Sequence, residues 1–270
     1  MIDTHCHLTF DDFQQVEGGP AGVVQRAKDA GVRGMISIST SSNDCEAALK
    51  VAQEFDGVWC SSGVHPLYSH EGRGGTHDWA RIHRCAEAPE CVAWGELGLD
   101  YHYEGDHTPV QHAVLAEQLA NVESWRGESE KLRDMPVVIH CREAFHDLIP
   151  ILRDSSIPAD RFVFHCFTAG PDEMRQVMDF GAMVSLTGVV TFKNAKEVRE
   201  AVKLAPADRV MVETDAPFLT PAPHRKVWPN EPAYSRVIAE FLAAEIYGME
   251  WETFEKQINE NTLRFFGVEA

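Results

Sequence analysis

The chain lacks what would take it into or across a bilayer. None of its 270 residues falls in a run approaching the ~18 apolar residues of a membrane span. No basic segment followed by an apolar core marks a secretory leader. The expected location is the cytoplasm, where thiols stay reduced. The seven cysteines are odd in number and include no Cys-x-x-Cys pair, which argues against a zinc ribbon and a disulfide framework. Basic residues are also scarce: 24 Lys and Arg against 42 Asp and Glu leave a formal charge of −18. Such a surface is ill-suited to wrapping a duplex, since non-specific DNA affinity comes from Lys and Arg meeting phosphates. It leaves room for an enzyme whose cleft is made locally positive by bound cations. No Gly-x-Gly-x-x-Gly or Walker loop follows an apolar run, which weighs against a nucleotide cofactor. No linker, repeat or low-complexity tract divides the chain, so residues 1–270 read as one domain.

What is present is an alternation. Apolar, β-branched runs fall at Met1–His5, Val32–Ser39, Gly57–Gly63, Cys91–Leu97, Pro136–His140, Phe162–Cys166, Ala182–Thr187 and Val210–Thr214. Between and after them lie helical patterns such as Asn194–Leu204, Pro232–Tyr247 and Trp251–Phe266. Eight strands alternating with helices predict a parallel sheet, and at this length closure into an α/β (β/α)8 TIM barrel. A doubly wound open sheet is the alternative. The stretch from Tyr101 to Asp134 is irregular, a polar loop (Tyr101–Thr108) leading into an elongated crossover helix or a surface excursion.

The polar residues sit where a barrel gathers them. His5 and His7 share one face of the first strand, since alternate side chains point the same way. The third strand runs into His65, the fourth into Glu96 and Asp100, the fifth into His140, the sixth into His165 and the eighth into Glu213 and Asp215. A single such histidine is more often a core residue bonded to a carbonyl. Recurrence at the same topological position in strand after strand points instead to one mouth. Even four of these imidazoles with two of the carboxylates exceed what one catalytic zinc needs. Two divalent ions bridged by a carboxylate and activating a shared water are the chemistry such a set suits. Imidazole donors favour zinc, manganese, iron or nickel over magnesium.

The segments Asp3-Thr4-His5-Cys6-His7-Leu8, Gly63-Val64-His65-Pro66, Gly95-Glu96-Leu97-Gly98-Leu99-Asp100, Pro136-Val137-Val138-Ile139-His140-Cys141-Arg142, Phe164-His165-Cys166-Phe167 and Glu213-Thr214-Asp215-Ala216-Pro217 resemble the TatD family of metal-dependent deoxyribonucleases, in the amidohydrolase superfamily. Asn230-Glu231-Pro232-Ala233-Tyr234 and Glu260-Asn261-Thr262 fit as well. The resemblance implies a TIM barrel with its site at the strand C-termini. It implies that His5, His7, Glu96 and Asp215 hold one ion, and that Glu96, His140 and His165 hold the second with Glu96 bridging. Asp215 would double as the base that deprotonates water. It further implies 3′-5′ cleavage of single-stranded DNA, with misacylated tRNA as the substrate of some relatives.

Around this set, His65 either contacts a phosphate, orients a neighbour or is a satisfied histidine beside Pro66. Arg142 is a phosphate clamp or a partner of Glu143, because its fork matches two oxygens. Glu213 shares a strand face with Asp215 and tunes the site or bonds a ligand histidine. Cys6, Cys141 and Cys166 are expected to turn away from the metals. The chain departs from the family at Leu67, where a second histidine is usual, and at Lys226-Val227-Trp228-Pro229, where a Gly-Lys-Arg run is usual. Both departures touch substrate preference and neither removes a metal ligand. Three functions remain open: a phosphodiesterase acting on single-stranded DNA, an ester or amide hydrolase such as an aminoacyl-tRNA deacylase, and a metal-stabilised scaffold without activity. No membrane and no obligate protein partner is expected.

Overall fold

Every one of the eight apolar runs becomes a parallel strand. They are β1 (Ile2–Cys6), β2 (Gly34–Ser37), β3 (Val58–Ser62), β4 (Cys91–Asp100), β5 (Val137–Arg142), β6 (Phe162–Phe164), β7 (Met183–Leu186) and β8 (Val210–Val212). Each pairs with the next, in order from β1 to β8. The last returns to the first through a parallel bridge between Cys6 and Ala216. Two backbone bonds reinforce that seam, Asp215 N to His5 O at 2.9 Å and His7 N to Ala216 O at 2.8 Å. The result is a nearly closed (β/α)8 barrel. This computed structural model describes residues 1–70, 77–103 and 108–268.

Strand alternation divides the apolar residues into two shells. Val137, Ile139, Phe162, Phe164 and Val184 belong to the cluster shared with the surrounding helices. Ile2, Ile36, Val92, Val138, Val163, Met183 and Met211 form a second cluster that fills the barrel. Phe265 and Phe266, at the end of the helix Trp251–Phe266, join this inner set. Asn261 seats that helix below β8 by donating to the carbonyls of Ala207 and Val210 at 2.8 and 2.7 Å. One end is therefore plugged with apolar side chains, and the polar residues are left to the other.

Several boundaries differ from the sequence reading, each at a strand or helix end. β4 runs to Asp100 instead of Leu97, while β6 and β8 stop at Phe164 and Val212, leaving His165 and Asp215 on the loops just beyond. The helix expected over Asn194–Leu204 spans Lys196–Val202. The one expected over Pro232–Tyr247 is a 3-10 turn (Pro232–Tyr234), an α-helix (Ser235–Phe241) and a π-helical end (Leu242–Tyr247). The irregular stretch resolves into the crossover helix Thr108–Trp125 and a short helix Glu130–Asp134. Of the polar loop before it, residues 104–107 lie outside the described residues.

Candidate metal centre

Glu96 stands between two sets of imidazoles. Its Oε2 lies 3.2 Å from His5 Nε2. Its Oε1 lies 2.8 Å from His140 Nδ1, 2.5 Å from His165 Nε2 and 3.4 Å from His65 Nε2. On the first side, His5 Nε2 and His7 Nε2 face each other at 3.2 Å, and Asp215 Oδ1 is 3.6 and 3.4 Å from them. On the second side, His140 Nδ1 meets His165 Nε2 at 3.2 Å. Glu96 is 1% exposed and His5 0%, while His140 and Asp215 are half-buried at the edge of each set. Among the described residues, three groups are placed to hold an ion: His5, His7 and Asp215; His5, His165 and Glu213; and His65, Glu96 and His140.

The outer nitrogens decide which lone pairs face inward. His7 Nδ1 lies 3.1 Å from the Ile38 carbonyl and His140 Nε2 lies 2.9 Å from Asp100 Oδ2, so in each neutral ring the inner nitrogen is left unprotonated. His165 Nδ1 likewise faces Glu213 Oε1 at 3.4 Å. His65 is wired the other way. Its Nδ1 accepts from Leu67 N at 3.0 Å, which puts the proton of the neutral ring on Nε2, facing Glu96 and His140. Burial drives its pKa down to about 3, so the ring is neutral and offers a donor where the others offer lone pairs. Lone pairs of two rings pointed at each other repel unless a cation lies between. Glu96 Oε2 adds a buried oxygen without a hydrogen-bond partner. The donor set fits divalent cations of the imidazole-binding kind.

The titration behaviour has the same cause. Burial opposes the charge of Glu96, but His165, His65 and His5 outweigh it and hold the carboxyl well below its usual range. For Asp215 burial is likewise overcome, by the bond to His7 and the charges of His5 and His165, and its pKa is lowered. Burial disfavours imidazolium throughout. At His5 it prevails and the pKa falls. At His7 the bond to Asp215 overcomes it, at His140 those to Asp100 and Glu96, and at His165 the charge of Glu96, so these three are raised. The centre demands positive charge, and protons or metal ions can supply it.

A cavity of about 550 Å3 opens above these groups. Arg142 lines it, its guanidinium 4.8 Å from the Tyr103 ring centroid, while Glu143 pairs with His102 at 2.8 Å instead. Glu213 lies deeper: it accepts from Cys166 N at 2.6 Å and Ser185 Oγ at 2.5 Å. Cys6 is buried in the core as expected, but Cys141 and Cys166 are half-buried and line the cavity wall. Strand alternation fails for Cys166 because β6 has already ended and its φ is +45°.

Comparison with known proteins gives the same picture. Residues 2–267 match the family described as TatD related DNase. The chain belongs to that family. It is 33% identical to the Bacillus subtilis uncharacterized metal-dependent hydrolase YabD over 268 residues, covering 99% of each chain. It is 32% identical to the 3′-5′ ssDNA/RNA exonuclease TatD of Klebsiella pneumoniae over 275 residues, covering 100% of this chain and 99% of that one. In structure it superposes on the TatD homologue YJJV of Escherichia coli with a TM-score of 0.87 at 23% identity, over 100% and 98% of the two chains. This TatD-family chain is thus a metal-dependent hydrolase.

Two buried acids of this TatD-family barrel escaped the sequence reading as functional residues. Asp100 fixes His140 through Nε2 and itself accepts from the backbone N–H groups of His102 and Tyr103 at 2.9 and 3.1 Å. The signal was available: Glu96 and Asp100 are four residues apart on one strand, hence on one face. Asp3 accepts from Thr214 N at 3.0 Å, Thr214 Oγ1 at 2.5 Å and His5 N at 3.2 Å, locking β1 to the end of β8. Burial pushes its pKa up to about 7, against the pull of those bonds. No spacing in the sequence links residue 3 to residue 214.

Proposed function

We propose that this chain, a single domain over 1–270, removes nucleotides from the 3′ end of single-stranded DNA using two divalent ions. His5, His7, Glu96 and Asp215 would hold one ion, and Glu96, His140 and His165 the other. The observation that carries the reading is the division of the Glu96 carboxylate, with Oε2 toward His5 and Oε1 toward His140 and His165. Bound cations would polarise the scissile phosphate and supply a hydroxide-like water near neutral pH. Asp215, ionised by its lowered pKa, accepts the proton of the attacking water on a carboxylate oxygen. His65 donates its Nε2–H to a phosphate oxygen, and Arg142 forks onto another. Glu213 and Asp100 hold the rings of His165 and His140 in place. The seven cysteines are all unpaired, which supports a reducing, cytoplasmic setting. Zinc, manganese, iron or nickel suit the imidazole donors best, with magnesium as a substitute in vitro.

Asp215→Asn is expected to lower exonuclease turnover by about 100-fold or more on a 3′-labelled oligonucleotide, with an unchanged circular dichroism spectrum. A variant as fast as wild type sinks the assignment. A second reading, hydrolysis of an ester or amide such as an aminoacyl-tRNA linkage, is favoured by one observation. Arg142 is the sole Lys or Arg among the described residues lining the cavity. Turnover of an aminoacyl ester but of no oligonucleotide, lost in Asp215→Asn, would establish it.

A further inference from the structure

Three aromatic rings step outward from the metal centre to the rim. His7 stacks on Phe10 with centroids 4.7 Å apart. Phe10 meets Phe218 at 6.0 Å and 79°, and Phe218 meets Trp228 at 6.0 Å and 54°. Phe10 and Phe218 line the cavity, while Phe218 is 40% exposed and Trp228 60%. In such contacts the edge of one ring meets a face of the other, and His7 already covers one face of Phe10, so the exposed rings Phe218 and Trp228 have the most surface left for a flat ligand.

The placement is not scattered surface apolarity. Of the six large apolar side chains that the described residues leave exposed, Phe218, Val227 and Trp228 share the loop after β8, and Tyr103 lines the same cavity. That loop also differs from its surroundings in charge. In a chain of net charge −18, no acid occurs between Asp215 and Glu231, whereas Arg225 and Lys226 do. Both are exposed. Exposed rings beside cations, aligned on a buried centre, are the parts that hold single strands, because every base has a π-face and every linkage a phosphate.

We propose that Phe10, Phe218 and Trp228 form a base-stacking track for single-stranded DNA, with Arg225 and Lys226 meeting its backbone and Trp228 gripping the outermost base. The track rests on the reading that the metal centre acts on single-stranded DNA, and names where the strand lies. A duplex is excluded because its bases are already stacked and paired.

The test is fluorescence anisotropy of a fluorescein-labelled, phosphorothioate-linked octathymidylate titrated with the full chain. Trp228→Ala and Phe218→Leu should each weaken binding at least about five-fold, the low end for a lost base–aromatic stack, and Trp228→Phe should keep most of it. Affinities within two-fold of wild type in both variants would overturn the track, as would equal affinity for a duplex or no binding by wild type. A concentration-dependent dimer that Trp228→Ala dissolves would assign the rings to a second copy and overturn it too. Exonuclease assays run alongside separate the two claims. Strand binding that depends on Trp228 without cleavage removes the nuclease reading alone; cleavage with variants that bind normally removes the track alone.

Discussion

At the scale of single residues, the second nitrogen of each histidine tells roles apart. His7 and His140 spend it on Ile38 and Asp100 and His165 turns it toward Glu213 at 3.4 Å, whereas His65 accepts there from Leu67 N. The departure at Leu67 therefore leaves this wiring intact, because it is the backbone N–H that holds His65. Asp100→Asn removes the charge behind His140, and the outer-sphere effect is about 10–100-fold in metal affinity or activity. Competition titration with a chromophoric chelator should show that loss; unchanged affinity and activity would deny Asp100 the role. The inner histidines and Glu96 were legible in the sequence because strand ends converge in a barrel. The direction of the outer nitrogen in His7, His140 and His165 was not, since it depends on contacts 30 or more positions away in the chain; in His65 it depends on Leu67, two residues on.

Among elements, β4 and its neighbours bear the tightest constraint. A Cβ on Gly98 would lie 1.8 Å from the carbonyl oxygen of His140, and one on Gly63 would lie 2.7 Å from the backbone of Gly95. Gly98 lets β4 and β5 approach closely enough for Glu96 and His140 to meet, and Gly63 lets the end of β3 close on β4 at Gly95. Gly98→Ala must part β4 from β5 and is expected to cost about 3 kcal/mol, the upper end for overpacking. A melting curve should fall by roughly 6 °C or more, with weaker metal binding; a wild-type melting temperature would contradict the close packing. The ladder also slips register between Asp3 and Cys6 and between Trp94 and Leu97, flanking His5 and Glu96. Irregularities of this kind re-aim side chains. Apolar patterning predicts the strands but not these slips, nor the positive φ of Asp215, Cys166 and Glu143 where strands give way to loops.

For the whole molecule, metal, protons and stability are linked. His7, His140 and His165 have raised pKa values, so protein stripped of metal carries protons there at and above pH 6.5. Entering cations must displace them, so affinity falls as pH falls and binding releases protons. His5 and His65, lowered by burial, are already neutral and release none. Calorimetry in two buffers of different ionisation enthalpy should show net proton release at pH 6.5, and none at all would contradict the shifts. The stabilisation by metal should be larger at pH 8 than at pH 6, reaching about 2.7 kcal/mol at a hundred times the dissociation constant. The barrel and its closure were legible in the number of strands and the length of the chain; the residues that make the seam were not. The bridge of Cys6 to Ala216, with Asp215 N on His5 O, means that the first and last strands are stitched together by the very neighbours of the reactive groups. A growing polypeptide that has not yet emerged past position 216 thus has neither its final staves joined nor Asp215 set against His5 and His7.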